Sequence, residues 1–102
     1  MINIFSNKQI IDIKFTTGEC VVYVNGARLI SGTAYQCMSK IRLMIERSNL
    51  FYNDGVIKFN IDCEIISPAV ANDKSNFINQ LKLLSTSCKY HFEIKEGINL
   101  IA

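Results

Sequence analysis

Apolar and polar residues alternate along the first third of the chain, and this pattern predicts β-strands. The segments IIDIKF, CVVYV and ARLI, at residues 10–15, 20–24 and 27–30, are the predicted strands. A type I′ turn needs positive φ at both central positions, so Asn25-Gly26 predicts a tight hairpin between the last two. Residues 2–5 are a further candidate strand.

An apolar repeat at helical spacing predicts the first helix over residues 31–49. Thr33 is its expected N-cap, and Gln36 three residues later completes a capping-box pattern. Asn49 is suited to end the helix in the left-handed conformation. The predicted inward face comprises Ala34, Cys37, Met38, Ile41, Met44 and Ile45.

The second half of the chain shows two more alternating strands around a second helical pattern. Residues 56–66 place Ile57, Phe59, Ile61, Cys63 and Ile65 on one face, and Lys58, Asn60, Asp62 and Glu64 on the other. The second helix is predicted over residues 74–87, with Asp73 or Asn72 as its cap and with Phe77, Ile78, Leu81 and Leu84 inward. Residues 89–95 alternate again, and residues 98–101 are a final short strand.

The element order is therefore β-β-β-α-β-α-β-β, which predicts an α+β fold. At 102 residues the chain is expected to form a single domain over residues 1–102. The simplest layering is a mostly antiparallel sheet with two helices packed on one face. The other face is then solvated or meets a partner.

Composition narrows the function classes. The chain is 49% apolar and 20% charged, which is typical of a globular protein. Its formal net charge is only +2, and this small value is weak evidence against a dedicated nucleic-acid protein. No segment resembles a signal peptide or a membrane span, and four scattered cysteines favour a cytoplasmic protein with reduced thiols. Abundant isoleucine, asparagine and lysine are typical of AT-rich coding DNA, which suggests a phage or mobile element.

Cys88 and His91 carry the residue types of a reactive site. Zinc sites use four ligands, usually in two close pairs, and only one such pair occurs here. A thiol at the end of a helix is also poorly activated, because the helix dipole raises its pKa. The pattern instead places His91 on the polar side of its strand, where Asp62 or Glu64 could lie across from it. A polar catalytic cluster of these residues is an open alternative, but we expect no enzyme, metal, cofactor or small-molecule substrate.

The remaining hypothesis is a small binding protein of accessory or inhibitor type that contacts another protein and self-associates through the exposed sheet face or an edge strand. Apolar residues that do not fit a two-layer core indicate such a surface. The predicted protein-binding residues are Tyr23, Leu50, Phe51, Tyr52, Lys58, Asp62, Glu64, His91 and Lys95. The alternative is nucleic-acid binding by a basic surface around the first helix, with Arg28, Lys40, Arg42 and Arg47, although Arg42 can pair with Glu46.

Overall fold

The computed structural model of the protein describes residues 8–16, 19–47, 55–63 and 67–97. Within these residues the chain forms five strands and two helices. They are β1 (Lys8–Thr16), β2 (Glu19–Val24), β3 (Ala27–Gly32), α1 (Ala34–Arg47), β4 (Val56–Cys63), α2 (Pro68–Ser85) and β5 (His91–Gly97). The predicted α+β fold and the order β-β-β-α-β-α-β are confirmed. The candidate strands at residues 2–5 and 98–101 lie outside the described residues.

The strands form one sheet in the order β3-β2-β1-β4-β5. The β1–β2 and β2–β3 pairs are antiparallel, whereas β1–β4 and β4–β5 are parallel. The sheet is therefore mixed, which corrects the expectation of a mostly antiparallel sheet. The physical reason is that each helix carries the chain back to the end of the sheet where the preceding strand began, so the strands before and after the helix run in the same direction.

The hairpin between β2 and β3 has the predicted Asn25-Gly26 turn. Both residues adopt positive φ, 51° at Asn25 and 89° at Gly26. The Asn25 side chain also ties this turn to β1, because its Oδ1 accepts the backbone N–H of Ile10 at 2.9 Å and its Nδ2 donates to Gln9 Oε1 at 2.7 Å. The turn thereby fixes the position of the hairpin against the central strand.

The N-terminus of α1 carries the predicted capping box. Thr33 Oγ1 accepts the backbone N–H of Gln36 at 3.1 Å, and Gln36 Oε1 accepts the backbone N–H of Thr33 at 3.0 Å. Two otherwise unpaired helix N–H groups are thereby satisfied.

The second helix begins earlier than the sequence pattern predicts. It starts at Pro68, and Ser67 is its N-cap, with Oγ accepting the backbone N–H of Val70 at 3.2 Å. The predicted caps Asn72 and Asp73 lie within the helix. Proline is favourable at the first helical position because it lacks the N–H that would be unsatisfied there, so the Ser-Pro pair starts this helix.

Both helices pack on the same face of the sheet and bury one continuous core. The Phe15 ring of β1 meets the Phe77 ring of α2 edge to face, with ring centroids 5.4 Å apart. The described positions predicted to point inward in α1, β4 and α2 are buried, except Ala34, which is half-buried. The buried core side chains of the strands are Ile11, Ile13, Phe15, Cys20, Val22, Ile57, Phe59, Ile61 and Cys63, and those of the helices are Cys37, Met38, Ile41, Met44, Ile45, Val70, Phe77, Ile78, Leu81 and Leu84.

Candidate binding surface on the open sheet face

The candidate binding surface is the side of the sheet opposite the helices, which we call the open face. It results from strand alternation: Ile11 and Ile13 of β1 are buried under the helices, so Asp12 and Lys14 project the other way. Within the described part of the chain, no helix packs against it. Its side chains are Ile10, Asp12, Lys14, Val21, Tyr23, Arg28, Lys58, Asn60, Asp62, Glu93 and Lys95.

One row of side chains crosses all five strands at the middle of the open face. The strand register places Arg28, Tyr23, Asp12, Asn60 and Lys95 side by side, in that order. Asn60 Nδ2 donates to Asp12 Oδ1 at 2.9 Å, a bond between two strands that run parallel. This bond fixes the Asp12 carboxylate next to Tyr23.

Tyr23 is the aromatic residue at the middle of this surface. The Lys14 ammonium lies 5.7 Å from the centroid of its ring, within the range of a cation–π contact. Val21 and Tyr23 are half-buried, and Ile10 on the neighbouring strand is 39% exposed. These three residues give the open face an apolar component among its charges.

The structure brings together most of the described residues that the sequence predicts for protein binding. Tyr23, Lys58, Asp62 and Lys95 lie on the open face, with His91 at its margin. The other predicted residues, Leu50, Phe51, Tyr52 and Glu64, lie outside the described residues.

His91 is exposed at the start of β5, where it lies opposite Val56. The hypothesis that Asp62 faces it is wrong, because Asp62 lies opposite Gly97 at the other end of the strand. Parallel pairing aligns the beginning of β4 with the beginning of β5, so the two residues are separated along the sheet. A methyl group at Gly97 would overlap the Asp62 carboxylate, which shows how closely that side chain approaches β5.

Seven residues of the open face are absent from the set that the sequence predicts for protein binding: Ile10, Asp12, Lys14, Val21, Arg28, Asn60 and Glu93. The signal was present in IIDIKF, where alternation that buries Ile11 and Ile13 necessarily exposes Asp12 and Lys14. What the sequence lacks is the strand order, which places β1 at the centre of the sheet beside both β2 and β4.

The four basic residues of the nucleic-acid alternative do not form one surface. Arg28 lies on the open face, where its guanidinium contacts Ser31 Oγ, whereas Lys40, Arg42 and Arg47 are exposed on α1, on the helical side. Arg42 Nη2 donates to Gln80 Oε1 of α2 at 3.3 Å. Within the described residues, no ion pair joins Arg42 to Glu46.

A groove of about 420 Å³ separates the two helices on the side away from the sheet. Buried Met38 and Phe77 line it together with Arg42 and Asp73, while Tyr35 at its margin is 82% exposed. This groove is concave, but it is remote from the open face. Tyr35 therefore provides a reference position for tests of the open face.

Three of the four cysteines lie in the buried core. Burial raises the pKa of the Cys20, Cys37 and Cys63 thiols, so they are neutral and poorly nucleophilic near pH 7. Cys88 is half-buried and its Sγ lies 3.8 Å from the carbonyl oxygen of Tyr90. In the ranges that the structure describes, no group of three or more histidine, cysteine, aspartate and glutamate side chains could hold a metal ion.

Comparison of the chain with protein-family models, with curated proteins and with solved structures finds no match. Neither α1 nor α2 is long and apolar enough to cross a lipid bilayer. The surface chemistry of the open face is therefore the main indication of function.

Proposed function

We propose that the protein is a small non-enzymatic binding protein, of accessory or inhibitor type, that docks another protein on its open face and also self-associates. The observation that carries this proposal is the central row of the open face. Tyr23 lies there between Asp12 and Arg28, with the Lys14 ammonium 5.7 Å from its ring centroid, on a side of the sheet against which no described helix packs.

This arrangement has the composition of a protein interface. Such interfaces combine an aromatic or apolar centre with a polar rim, and tyrosine and arginine are enriched among the residues that dominate binding. Here Val21 and Tyr23 supply the centre, and charged side chains surround them. Because these residues project from paired strands, little conformational entropy is lost when a partner docks.

The mixed signs of charge indicate a partner with its own mixed pattern. Lys14, Arg28 and Lys95 present cations, while Asp12 and Asp62 present carboxylates in the same surface. Such a pattern favours one docking orientation over others, since misplaced like charges are unfavourable. The proposed setting is the cytoplasm, with reduced thiols, and the abundance of isoleucine, asparagine and lysine favours a phage or mobile element.

The test is capture of the partner from a host-cell extract on the immobilised protein and on its Tyr23→Asp variant. Loss of the ring and gain of a carboxylate beside Asp12 should weaken binding of the partner at least about tenfold, since truncation of a hot-spot residue costs about 2 kcal/mol or more and tenfold corresponds to about 1.4 kcal/mol. Tyr23→Thr removes the same ring but introduces a β-branched residue that favours strands. It should therefore disturb the fold less than Tyr23→Asp does.

The matched control is Tyr35→Asp, which changes an equally large aromatic residue on the helical side. We expect this variant to capture the partner as well as the wild-type chain does. Circular dichroism and thermal unfolding establish that each variant is folded. Retention of the same partner by folded Tyr23→Asp and Tyr23→Thr proteins would contradict the proposal.

Nucleic-acid binding through α1 is the second candidate, and it is favoured by three exposed cations on one helix, Lys40, Arg42 and Arg47. Binding of this kind weakens steeply with salt because neutralised phosphates release counterions. Retention of the wild-type chain on heparin at physiological salt, abolished by changing these three residues to glutamate, would favour this function over the open-face proposal.

A further inference from the structure

The strand β5 is the last strand of the sheet among those that the structure describes. The backbone N–H of His91 donates to the carbonyl oxygen of Gly55 at 3.0 Å, so His91 directs its backbone groups towards β4. Successive residues of a strand direct these groups to opposite sides. The backbone groups of Phe92, Ile94 and Glu96 therefore point away from β4, towards the outer edge.

An edge with a row of outward N–H and C=O groups can pair with a further strand. In an antiparallel pair, residues with outward backbone groups lie opposite one another and form the hydrogen-bonded positions. The residues between them also lie opposite one another and form the non-hydrogen-bonded positions. A strand that pairs with its own copy therefore has only a few symmetric registers, each defined by the residue through which the two-fold axis passes.

Charge distinguishes these registers. A two-fold axis at Ile94 places Glu93 opposite the partner's Lys95, and symmetry repeats this attractive pair. An axis at Glu93 or at Lys95 would instead place that residue against its own copy, with like charges in contact. An axis at Phe92 would place Lys95 against the partner's Lys89. The register centred on Ile94 thus makes opposite charges meet in non-hydrogen-bonded positions, where side chains approach most closely.

The core side of the strand agrees with the same register. Ile94 is half-buried against the core, and the partner's Ile94 would cover its remaining surface. The partner's Phe92 would lie opposite Glu96, whose carboxylate already pairs with Lys74 Nζ of α2 at 3.2 Å. This ion pair within the chain neutralises a charge that would otherwise be unfavourable beside an aromatic ring.

We propose that β5 pairs antiparallel with β5 of a second copy, in the register centred on Ile94, to form a continuous sheet of two chains. This inference rests on the self-association included in the proposed function and assigns it to an edge strand. The two-fold axis is perpendicular to the sheet, so the two open faces lie on the same side and join into one surface. Contact between two seven-residue strands is small relative to the roughly 1,200–2,000 Å² of a stable interface, so we expect a reversible dimer.

The experiment is sedimentation equilibrium of the purified chain over a concentration series. The wild-type chain should approach twice the monomer mass as concentration rises. Lys95→Glu creates two like-charge contacts in place of two attractive ones and should raise the dissociation constant about tenfold or more. The double variant Glu93→Lys with Lys95→Glu exchanges the charges, keeps them complementary and should restore the dimer.

The matched control is Lys82→Glu, the same change at an exposed position of α2 that belongs to no proposed binding surface. It should leave the dissociation constant within about twofold of the wild-type value, because its side chain projects from a helix and not from the β5 edge. A wild-type chain that stays monomeric would overturn the inference and indicate that the charges of β5 only prevent edge pairing. The inference would also be overturned if Lys95→Glu left the dimer unchanged, or if the double variant with exchanged charges failed to restore it.

These outcomes are separable from those of the open-face proposal. If the dimer is absent but Tyr23→Asp still loses the captured partner, the edge inference fails and partner docking stands. If the dimer behaves as expected but Tyr23→Asp retains the partner, the docking proposal fails and the edge inference stands.

Discussion

Three of the cysteine side chains act as small apolar groups. Cys20, Cys37 and Cys63 are each no more than 2% exposed, and Cys37 Sγ lies 3.3 Å from the carbonyl oxygen of Cys20. Burial raises the pKa of all three thiols because a thiolate is poorly solvated in the core, and the neighbouring Cys37 thiol adds to the effect at Cys20. Helical and strand periodicity predicted this role for Cys37 and Cys63.

The buried thiols make stability depend on alkaline pH. In the unfolded chain a cysteine releases its proton near pH 8.5, whereas the folded protein keeps these three protonated to higher pH. The unfolded state then binds fewer protons, so the free energy of unfolding falls as pH rises above about 8.5 and is unaffected by these groups below it. The slope is at most about 1.4 kcal/mol per pH unit for each thiol, and it reaches that size only where the folded thiol stays protonated while the unfolded one is ionised.

Urea unfolding at a series of pH values from neutral to about pH 10 measures this slope. The comparison protein is Cys63→Ala, which removes one buried thiol that lies apart from the Cys20–Cys37 contact. Its slope should be shallower by about the contribution of one thiol. Equal slopes for the two proteins would show that Cys63 ionises as readily in the folded state as in the unfolded chain.

His91 shows the limit of prediction for a single residue. Alternation in KYHFEIK correctly places it on the polar side of its strand, away from the buried core. Its neighbour across the sheet could not be predicted, because the register depends on where the chain enters β5 after α2. The structure places Val56 there rather than a carboxylate.

At the scale of elements, the helices and strands follow from periodicity and turn chemistry. The Asn25-Gly26 turn and the Thr33–Gln36 capping box are both observed as predicted. The sequence pattern places the start of α2 too late because Asn72 and Asp73 are residue types that commonly cap helices. The signal for the true start was Ser67-Pro68, and the buried Val70 is the first residue that this extra turn contributes to the core.

Capping variants test this boundary. Ser67→Ala should lower the free energy of unfolding by about 1 kcal/mol, because the backbone N–H of Val70 loses its side-chain acceptor. Asp73→Ala, the matched change at the position that the sequence predicts as a cap, should alter it by less than about 0.5 kcal/mol, as is usual for an exposed helix position.

Chemical denaturation of both variants beside the wild-type chain provides the measurement. The two changes in the free energy of unfolding are best compared with each other, since both substitutions insert alanine into the same helix region. A larger loss of stability for Asp73→Ala than for Ser67→Ala would place the functional cap at residue 73 and contradict a helix that starts at Pro68.

At the scale of the whole molecule, the layering was predictable and the sheet topology was not. Amphipathic helices and alternating strands require a helical layer on one side of a sheet, and that layer is observed. The order of strands and the parallel pairing of β1 with β4 arise from the two crossovers, which leave no local signature in the sequence. The topology nevertheless determines the candidate site, because it aligns Tyr23, Asp12 and Asn60 in one row.

The central claim is that a protein partner covers the open face. Lysine side chains report on both sides of the molecule, so covalent labelling of amines can test the claim with the unmodified sequence. Lys14 is exposed on the open face, whereas Lys40 and Lys82 are exposed on the helices. Lys95 is a less specific reporter, since dimerisation through β5 would also cover it.

The decisive measurement is therefore the labelling rate of each lysine, by mass spectrometry, in the free protein and in the complex with its captured partner. We predict that partner binding slows the labelling of Lys14 severalfold and leaves Lys40 and Lys82 at their free rates. Unchanged labelling of Lys14 with protection of Lys40 would place the partner on the helices and contradict the account.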